Sequence, residues 1–224
     1  MTRPPVLAAT RNPHKLHEIR DLLRDVRVSV LGLEDLGIPA DPEEEELEPF
    51  DTFARNALSK ARYFHGRSGI PTLADDSGLC VDALDGEPGV CTRRFAPSDW
   101  ADRWGRDEAN NRWLIARLER VEDERRGARY HCAIAVADDL EHAVFEGRVE
   151  GSIVRAPRGR GGFGYDPLFV PAGEGMTFAE LPGGVKRALS HRAVALTRAG
   201  GWLRDHVESP RPTAHRVEGP RPAP

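Results

Sequence analysis

The run Leu73-Ala74-Asp75-Asp76-Ser77-Gly78-Leu79 places two adjacent acidic residues inside a stretch that otherwise suits a buried strand. Adjacent carboxylates repel each other and resist the loss of water, so a fold seldom keeps them there without a cation or a proton to move. We predict strands over Thr72–Ala74 and Leu79–Val81, with a functional site at the acid pair between them. An Asx-type turn over Asp75–Gly78, without a function, is the alternative.

The segments that precede this run alternate between strand and helix patterns. Val6–Ala9 is typical of a short buried strand, and Pro13 suits the first turn of a helix whose apolar residues repeat at helical spacing. Apolar and polar residues alternate over Val26–Val30, which predicts a half-buried strand. The acidic segment Asp41–Glu48 is predicted to be a loop, and Thr52 is suited to cap a second helix.

The segments that follow the run continue the alternation. A single helix is predicted over Trp100–Leu118. Strands over Tyr130–Ala137 and Ala143–Val154 are separated by a short polar turn, as in a hairpin. A loop rich in Gly and Arg, Ala156–Gly164, then leads to a short strand at Leu168–Val170.

Ser190 is suited to cap a last helix that runs to about Val207. Strands that alternate with helices, together with a hairpin, predict an α/β fold with a mixed twisted sheet and flanking helices. We predict one domain over residues 1–208. Residues 209–224 are rich in Pro and poor in apolar side chains, so we expect them to form a disordered tail.

Length and composition are those of a globular protein with a sizeable core: 224 residues, of which 39% are hydrophobic and 30% charged. The net charge of −4 argues against broad binding to nucleic acid or to an anionic membrane. Cys80, Cys91 and Cys132 lack metal-ligand spacing and are predicted to be reduced thiols. We find neither a signal peptide nor the roughly 20 consecutive apolar residues of a membrane span, and therefore expect a cytoplasmic protein.

The loop Thr10-Arg11-Asn12-Pro13-His14-Lys15 lies between a predicted strand and a predicted helix. Free N–H groups at a helix N-terminus bind anions, and Lys15 adds a positive charge, so the loop is a candidate phosphate site. An ordinary turn with solvated cations is the alternative. His14 and His17 lie about one helical turn apart, but without a third ligand we interpret them as surface residues.

The acidic residues Glu48, Asp75 and Asp76 are the candidates for holding a metal ion. Mg²⁺ prefers carboxylates together with phosphate oxygens and keeps several waters. The acid pair beside a phosphate-binding loop therefore suggests a site at which a divalent cation carries a polyanion. The remaining acids of the segment before Glu48 are interpreted as solvated.

The segment Gly159-Arg160-Gly161-Gly162-Phe163-Gly164-Tyr165-Asp166-Pro167 formally matches a dinucleotide-binding fingerprint, but a strand-like run follows it instead of a helix. We interpret it as a loop that presents Phe163 and Tyr165 for stacking on a base, with Asp166 as a hydrogen-bond acceptor. A hairpin loop with two core aromatics is the alternative.

A last cluster consists of Lys186 and the segment Ser190-His191-Arg192. If Ser190 caps a helix, His191 and Arg192 project from the positive end of that helix. Their N–H donors suit the carbonyl oxygens of a purine base, which accept hydrogen bonds. A capped helix with charged surface residues is the alternative.

Taken together and in this order, these segments resemble the inosine triphosphate pyrophosphatase family, whose bacterial members are called XTP/dITP diphosphatases. The resemblance covers about Val6 to Val207. It rests on Thr10 to Lys15, Thr52-Phe53, Asn56-Ala57, Lys60-Ala61, Ala74 to Leu79, Pro88-Gly89-Val90, Gly161 to Pro167, Thr177 to Glu180, Lys186 and Ser190-His191-Arg192.

The resemblance implies an elongated two-lobed fold with a central cleft, usually as a homodimer. It implies Mg²⁺-dependent hydrolysis of ITP, dITP and XTP to the monophosphate and pyrophosphate, with Glu48 and Asp76 as metal-linked acids. Asp76 is also implied as the base that activates water, for which its pKa must be raised or a metal ion must help. The predicted substrate contacts are Thr10, Arg11, Asn12, Pro13, His14, Lys15, Lys60, Asp75, Ser77, Phe163, Gly164, Tyr165, Asp166, Lys186, His191 and Arg192.

Some positions depart from the usual family pattern: Arg55 stands where Glu is common, Thr92-Arg93 where Ser-Ala is usual, and Arg187 where Asn often follows the lysine. These departures bear on base preference and rate more than on the reaction. Two other functions stay open. One is a related Maf-like pyrophosphatase of modified pyrimidine nucleotides, which Ser190-His191-Arg192 disfavours. The other is a non-catalytic nucleotide sensor, which the retained acids disfavour.

Overall fold

The computed structural model describes residues 3–206, which form a mixed six-stranded sheet with flanking helices. The strands are β1 (Pro5–Ala8), β2 (Ser29–Gly32), β3 (Thr72–Val81), β4 (Gly127–Ala137), β5 (His142–Ile153) and β6 (Phe169–Pro171). Their order in the sheet is β2-β1-β3-β4-β5-β6. The strand β1 is parallel to β2 and β3, and the other neighbours are antiparallel. The predicted α/β class is confirmed.

The helices are α1 (Pro13–Leu22), α2 (Phe53–Ser68), α3 (Ser98–Trp104), α4 (Arg106–Arg117), α5 (Gly183–Leu189) and α6 (His191–His206). The predicted caps are confirmed for two of them. The side chain of Thr52 accepts a hydrogen bond from the N–H of Arg55, and the hydroxyl of Ser190 accepts one from the N–H of Ala193. These bonds satisfy backbone donors that a helix leaves free in its first turn.

The acid pair lies inside one continuous strand, so the prediction of two strands and the alternative of an Asx-type turn are both wrong. Antiparallel pairing with β4 runs through the pair without interruption, with Asp75 opposite Ile134 and Asp76 opposite Ala133. Ten residues of β3 are paired with β4 in this way. Pairing with a long neighbouring strand outweighs the low strand preference of aspartate, which no local pattern reveals.

Three other local predictions need correction. The acidic segment contains a short 3-10 helix, Pro42–Glu46, in which the side chain of Asp41 forms a capping box with Glu44. The predicted single helix over Trp100–Leu118 is divided at Gly105, whose φ of +78° lies in the region that favours glycine. Residues Val26 and Val28 are buried but precede β2, which begins only at Ser29.

The hydrophobic core has three parts. One packs α1 and α6 against one face of the sheet, and a second packs α2 against the other face. The third lies at the far end of β3 and β4 and includes residues of α4 and β6. The long strands therefore connect two lobes, and the acid pair lies midway along β3 between them. The predicted tail, residues 209–224, lies outside the described residues.

Two further predictions concern the cysteines and membrane spans. All three cysteines are free thiols: Cys80 and Cys132 are buried, and Cys91 is exposed. None of the helices within residues 3–206 combines the length and the apolar character that crossing a membrane requires.

We expect the buried guanidinium of Arg126 to be a main stabilising group of the third core region. It donates to the carbonyl oxygens of Leu118, Ile153 and Val154 at 2.8, 2.9 and 3.3 Å. Replacing Arg126 with Ala leaves these acceptors without their donor and should lower the free energy of unfolding by about 2–4 kcal/mol. The exposed neighbour Arg125 is the control, because Arg125→Ala should change that free energy by less than about 0.5 kcal/mol. Urea unfolding of the two variants makes the comparison.

Candidate active site

The two acids of β3 face opposite sides of the sheet, because side chains alternate along a strand. Asp75 points to the face covered by α1 and α6, where it meets Lys15 and Arg192. Asp76 points to the face covered by α2, where it accepts a hydrogen bond from Asn56 at 3.0 Å. Adjacent residues therefore enter two different environments.

Asp75 is held as a carboxylate by two cations, the buried Arg192 and the partly buried Lys15. Its Oδ2 lies 2.9 Å from Nζ of Lys15 and 3.3 Å from Nη2 of Arg192. Burial alone would raise the pKa of Asp75, but the positive charges of Lys15, Arg192 and Lys60 outweigh it and leave the pKa well below its ordinary value. Asp75 is therefore suited to hold cationic side chains in place, and poorly suited to accept a proton.

Asp76 is the acid that can accept a proton near neutral pH. Burial raises the pKa of Asp76 to about 6; the charge of Glu48 adds to this shift, and Lys60 and the hydrogen bond from Asn56 oppose it. A base that activates water needs a raised pKa or a nearby metal ion, and the protein itself provides the raised pKa. The raised pKa marks Asp76 as a candidate general base.

Glu48 and Lys60 complete the α2 face of the site. Nζ of Lys60 lies 2.5 Å from Oε1 of Glu48 and also donates to the backbone carbonyl of Asp75. Burial raises the pKa of Glu48, but the charge of Lys60 outweighs it and the pKa is lowered. Glu48 is therefore a carboxylate near neutral pH, and Lys60 links it to the strand that carries the acid pair.

The donor set fits a magnesium ion that arrives with phosphate ligands. No group of three or more His, Cys, Asp or Glu side chains within residues 3–206 is arranged to hold a metal ion. Mg²⁺ often takes only one or two protein carboxylates and completes its shell with phosphate oxygens and waters. Glu48 and Asp76 are two such carboxylates, and they lie close enough for the charge of Glu48 to add to the raised pKa of Asp76.

The loop before α1 is ordered by its own side chains. Oδ1 of Asn12 accepts hydrogen bonds from the N–H groups of His14 and Lys15, so Asn12 is the N-cap, with Pro13 in the first turn. The hydroxyl of Thr10 accepts a bond from the N–H of Asn12. This arrangement places Lys15 at the acid pair, where a phosphate group would meet it.

Arg11 belongs to the same loop but turns away from the acid pair. Its guanidinium binds the carboxylate of Glu44 and the carbonyl oxygens of Ile38 and Pro39. It therefore anchors the loop to the segment that leads to Glu48. A contact of Arg11 with phosphate stays a prediction.

The Gly-rich loop presents one aromatic ring to the cleft and buries the other. Phe163 stacks on His14 of α1, with ring centroids 5.8 Å apart and planes inclined by 16°. Tyr165 is buried in the third core region, and its hydroxyl donates to the carbonyl oxygen of Thr92 at 2.8 Å. The prediction that the ring of Tyr165 stacks on a base is wrong in this structure, because packing in the core takes up that ring.

Asp166 and Lys186 form a buried ion pair beside Phe163. Oδ2 of Asp166 lies 2.6 Å from Nζ of Lys186 and accepts the N–H of Phe163 at 2.7 Å. The ammonium of Lys186 also lies 5.1 Å from the centroid of the Phe163 ring. These contacts bring Phe163 and Asp166 of the Gly-rich loop together with Lys186. The sequence did not indicate that Lys186 lies in a helix, α5.

The two residues that follow Ser190 have different environments. The ring of His191 is buried and stacks on Tyr130 at 4.8 Å, and its Nδ1 has no hydrogen-bond partner in the described protein. Burial and the charge of Arg192 keep the pKa of His191 well below its ordinary value, so the imidazole is neutral. Arg192 instead contacts Asp75, Ser77 and Glu18, so its contact with a base stays a prediction.

Sequence reasoning missed Asn56 and Glu18 as site residues. Asn56 lies on the buried face of α2 between Phe53 and Ala57, and this polar residue within an apolar stripe was the available signal. Glu18 pairs with Arg192, which is distant in sequence. No local pattern marks Glu18 among the other charged residues of α1.

A site with a proton-accepting carboxylate, a second carboxylate and converging lysines is typical of an enzyme that acts on a polyanion. Relatives of this chain are named for such a substrate. The dITP/XTP pyrophosphatase of Nocardia farcinica is 48% identical over 201 residues, which cover 88% of this chain and 93% of the relative. That of Geobacter sulfurreducens is 45% identical over 208 residues, which cover 92% and 97%.

Solved structures agree with the sequence relatives. A HAM1 protein from Coxiella burnetii matches with a TM-score of 0.78 at 35% identity, over 90% of this chain and 99% of that one. A nucleoside-triphosphatase / dITP/XTP pyrophosphatase from Mycobacterium abscessus matches with a TM-score of 0.66 at 42% identity, over 87% and 98%. The profile of the Ham1 family matches residues 6–202. The chain belongs to the Ham1 family.

The different environments of the two acids predict opposite effects on stability. Asp75→Asn removes the carboxylate that neutralises the buried Arg192 and the partly buried Lys15, and should lower the free energy of unfolding by about 3 kcal/mol or more. Asp76→Asn removes a buried negative charge next to Glu48, and should leave that free energy unchanged or raise it. Urea unfolding at pH 7 measures both. Equal destabilisation by the two substitutions would contradict this assignment.

Proposed function

We propose that this protein hydrolyses noncanonical purine nucleoside triphosphates, dITP, ITP and XTP, to the nucleoside monophosphate and pyrophosphate. The observation that carries the proposal is the raised pKa of Asp76, about 6, on a strand whose neighbouring residue holds Lys15 and Arg192. A base and a set of cations thus meet at one point of the cleft. The names of the relatives, dITP/XTP pyrophosphatase, support the same substrate class.

In the proposed reaction, a water molecule attacks the anhydride between the α- and β-phosphates. Asp76 takes the proton of that water, the new bond to phosphorus forms, and the bridging oxygen leaves with pyrophosphate and the bonding electrons. Bound Mg²⁺ supplies positive charge against the triphosphate oxygens, and Glu48 and Asp76 are the residues that would hold it. Lys15 and Lys60 add positive charge near the leaving group.

We propose that the purine end of the substrate lies beside Phe163, Lys186 and His191. A neutral imidazole has one donor and one acceptor nitrogen, and the nitrogen of His191 without a partner is free to bind a base edge. N–H donors there would donate to the 6-carbonyl oxygen of hypoxanthine or xanthine, whereas the 6-amino group of adenine would meet them as a second donor. Base preference would then depend on hydrogen bonding, and overall affinity on stacking and charge.

The two alternatives differ from this proposal in what they predict. A Maf-like enzyme would turn over modified pyrimidine triphosphates in preference to purines. A nucleotide sensor would bind nucleotide, and be stabilised by it, without releasing pyrophosphate. Asp76 favours the hydrolase over the sensor, because binding alone gains nothing from a buried acid with a raised pKa.

A substrate panel tests the proposed activity. With Mg²⁺ present, dITP, ITP and XTP should be hydrolysed at least about a hundredfold more efficiently than ATP, because one mispaired buried polar group costs a few kcal/mol. GTP, which shares the 6-carbonyl, should lie between the two groups. Release of pyrophosphate is the measurement. Equal turnover of dITP and ATP, or preference for modified pyrimidines, would refute the proposed specificity.

The role of Asp76 as a base predicts loss of turnover without loss of binding. Asp76→Asn should lower kcat by at least about a hundredfold, because an amide cannot accept the proton of water. The variant should still be stabilised by dITP in thermal unfolding. The control is Asp85→Asn at an exposed residue with a left-handed backbone, which asparagine tolerates. An Asp76→Asn variant with full activity would show that another group is the base.

The proposed metal role of Glu48 predicts a change in Mg²⁺ requirement. Glu48→Gln removes one anionic ligand and should raise the Mg²⁺ concentration for half-maximal activity by about tenfold. The control is Glu46→Gln, since Glu46 is an exposed acid of the neighbouring 3-10 helix. Removing the metal with a chelator should abolish pyrophosphate release by the unmodified protein, and adding Mg²⁺ should restore it.

Two further features are proposed from the family resemblance. We propose that the protein is a homodimer that works in the cytoplasm on free nucleotides, without nucleic acid or membrane as a partner. Size-exclusion chromatography with light scattering measures the assembly, and a mass of one chain, 24.8 kDa, would exclude the dimer under those conditions.

A further inference from the structure

Two side chains of the helix α4 bind the backbone of Gly164, which lies in the Gly-rich loop. Oδ2 of Asp107 accepts the N–H of Gly164 at 2.9 Å, and Nδ2 of Asn111 donates to the carbonyl oxygen of Gly164 at 3.0 Å. Asp107 and Asn111 lie four residues apart in α4 and therefore share one face of the helix. Both polar backbone groups of Gly164 are thus bound by side chains of one helix.

Gly164 connects the two residues whose placement matters most for the loop. Phe163 lies before it and stacks on His14, and Tyr165 follows it in the core. The backbone of Gly164 has a φ of +61°, in the region that favours glycine. Fixing this peptide on α4 therefore sets the position and the angle at which Phe163 faces α1.

The environment of Asn111 indicates that the main role of its side-chain amide is the hydrogen bond to Gly164. Asn111 is buried, and its Oδ1 has no hydrogen-bond partner among the described residues. A buried acceptor without a partner is unfavourable, and an apolar side chain on this face of α4 would avoid it. Within residues 3–206, the bond from Nδ2 to Gly164 is the only hydrogen bond that the side-chain amide forms, so the benefit of this amide lies in binding the loop.

We propose that Asp107 and Asn111 are positioning residues for the base end of the substrate site. They act through Gly164, which places Phe163 against the purine ring, while the phosphate end is organised separately by Lys15 and Lys60. This inference rests on the proposed function for the identity of the substrate. Under this proposal, α4 controls the affinity for the base, although it contributes no group to the acid pair.

The test measures separately how Asp107 affects binding of the base end and of the phosphate end of the substrate. Asp107→Ala should raise KM for dITP about five- to tenfold, the effect of losing one hydrogen bond, with kcat changed less than about twofold. Inhibition by inorganic tripolyphosphate, which has no base, should keep its Ki within about twofold. Asp107→Asn keeps an acceptor for the N–H of Gly164 and should restore KM. Glu108→Ala is the control on the same helix, because Glu108 pairs with Arg112 and not with the loop.

Two outcomes would overturn the inference. They are an unchanged KM in Asp107→Ala, whether or not its melting temperature falls, and an equal rise in KM for dITP and Ki for tripolyphosphate. Asn111→Ala should repeat the result of Asp107→Ala, and the exposed Asp107 keeps the test valid if the Asn111 variant does not fold. If the unmodified protein hydrolyses no dITP, the proposed function fails, and titration of thermal stability with dITP and tripolyphosphate decides this inference instead.

Discussion

The rest of the site depends on the pairing of buried Asp75 with Lys15 and Arg192. Three charged groups are taken out of water together, and each is tolerated only because the others are present. The pairing joins α1, β3 and α6 at one point. It also fixes the two cations at the middle of β3, where the two lobes meet. Without it, Lys15 would not be held at the end of the cleft that we assign to phosphates.

Because Asp75 and Asp76 are neighbours in a strand, their side chains point to opposite faces of the sheet. Along β3, Asp75 faces the cations of α1 and α6, while its neighbour Asp76 faces Asn56 and Glu48. The first is therefore held ionised, and the second has a pKa near neutrality. Pairing with β4 keeps both side chains in these directions, so the division of roles between adjacent acids follows from the geometry of the sheet.

Residues predicted to bind the substrate also contact each other across the cleft. His14 of α1 meets Phe163 of the Gly-rich loop, and Phe163 is placed by the turn that α4 holds. A planar base that stacks on this side of Phe163 would have to replace the contact with His14, since the two ring centroids are 5.8 Å apart and stacked ring pairs themselves need about 4.5–7 Å. The phosphate end and the base end of the cleft are thus built by different elements.

Local sequence determined most of the elements and two of the helix caps, Thr52 before α2 and Ser190 before α6, because these depend on residues within a few positions. Motifs in chain order indicated the family and many of the residues that lie around the acid pair. Only the tertiary structure decided that the acid pair lies within a strand and that Tyr165 is a core residue. It also decided that Arg192 binds Asp75, 117 positions earlier in the chain. Such pairings depend on strand register and helix packing, which no local pattern of residues contains.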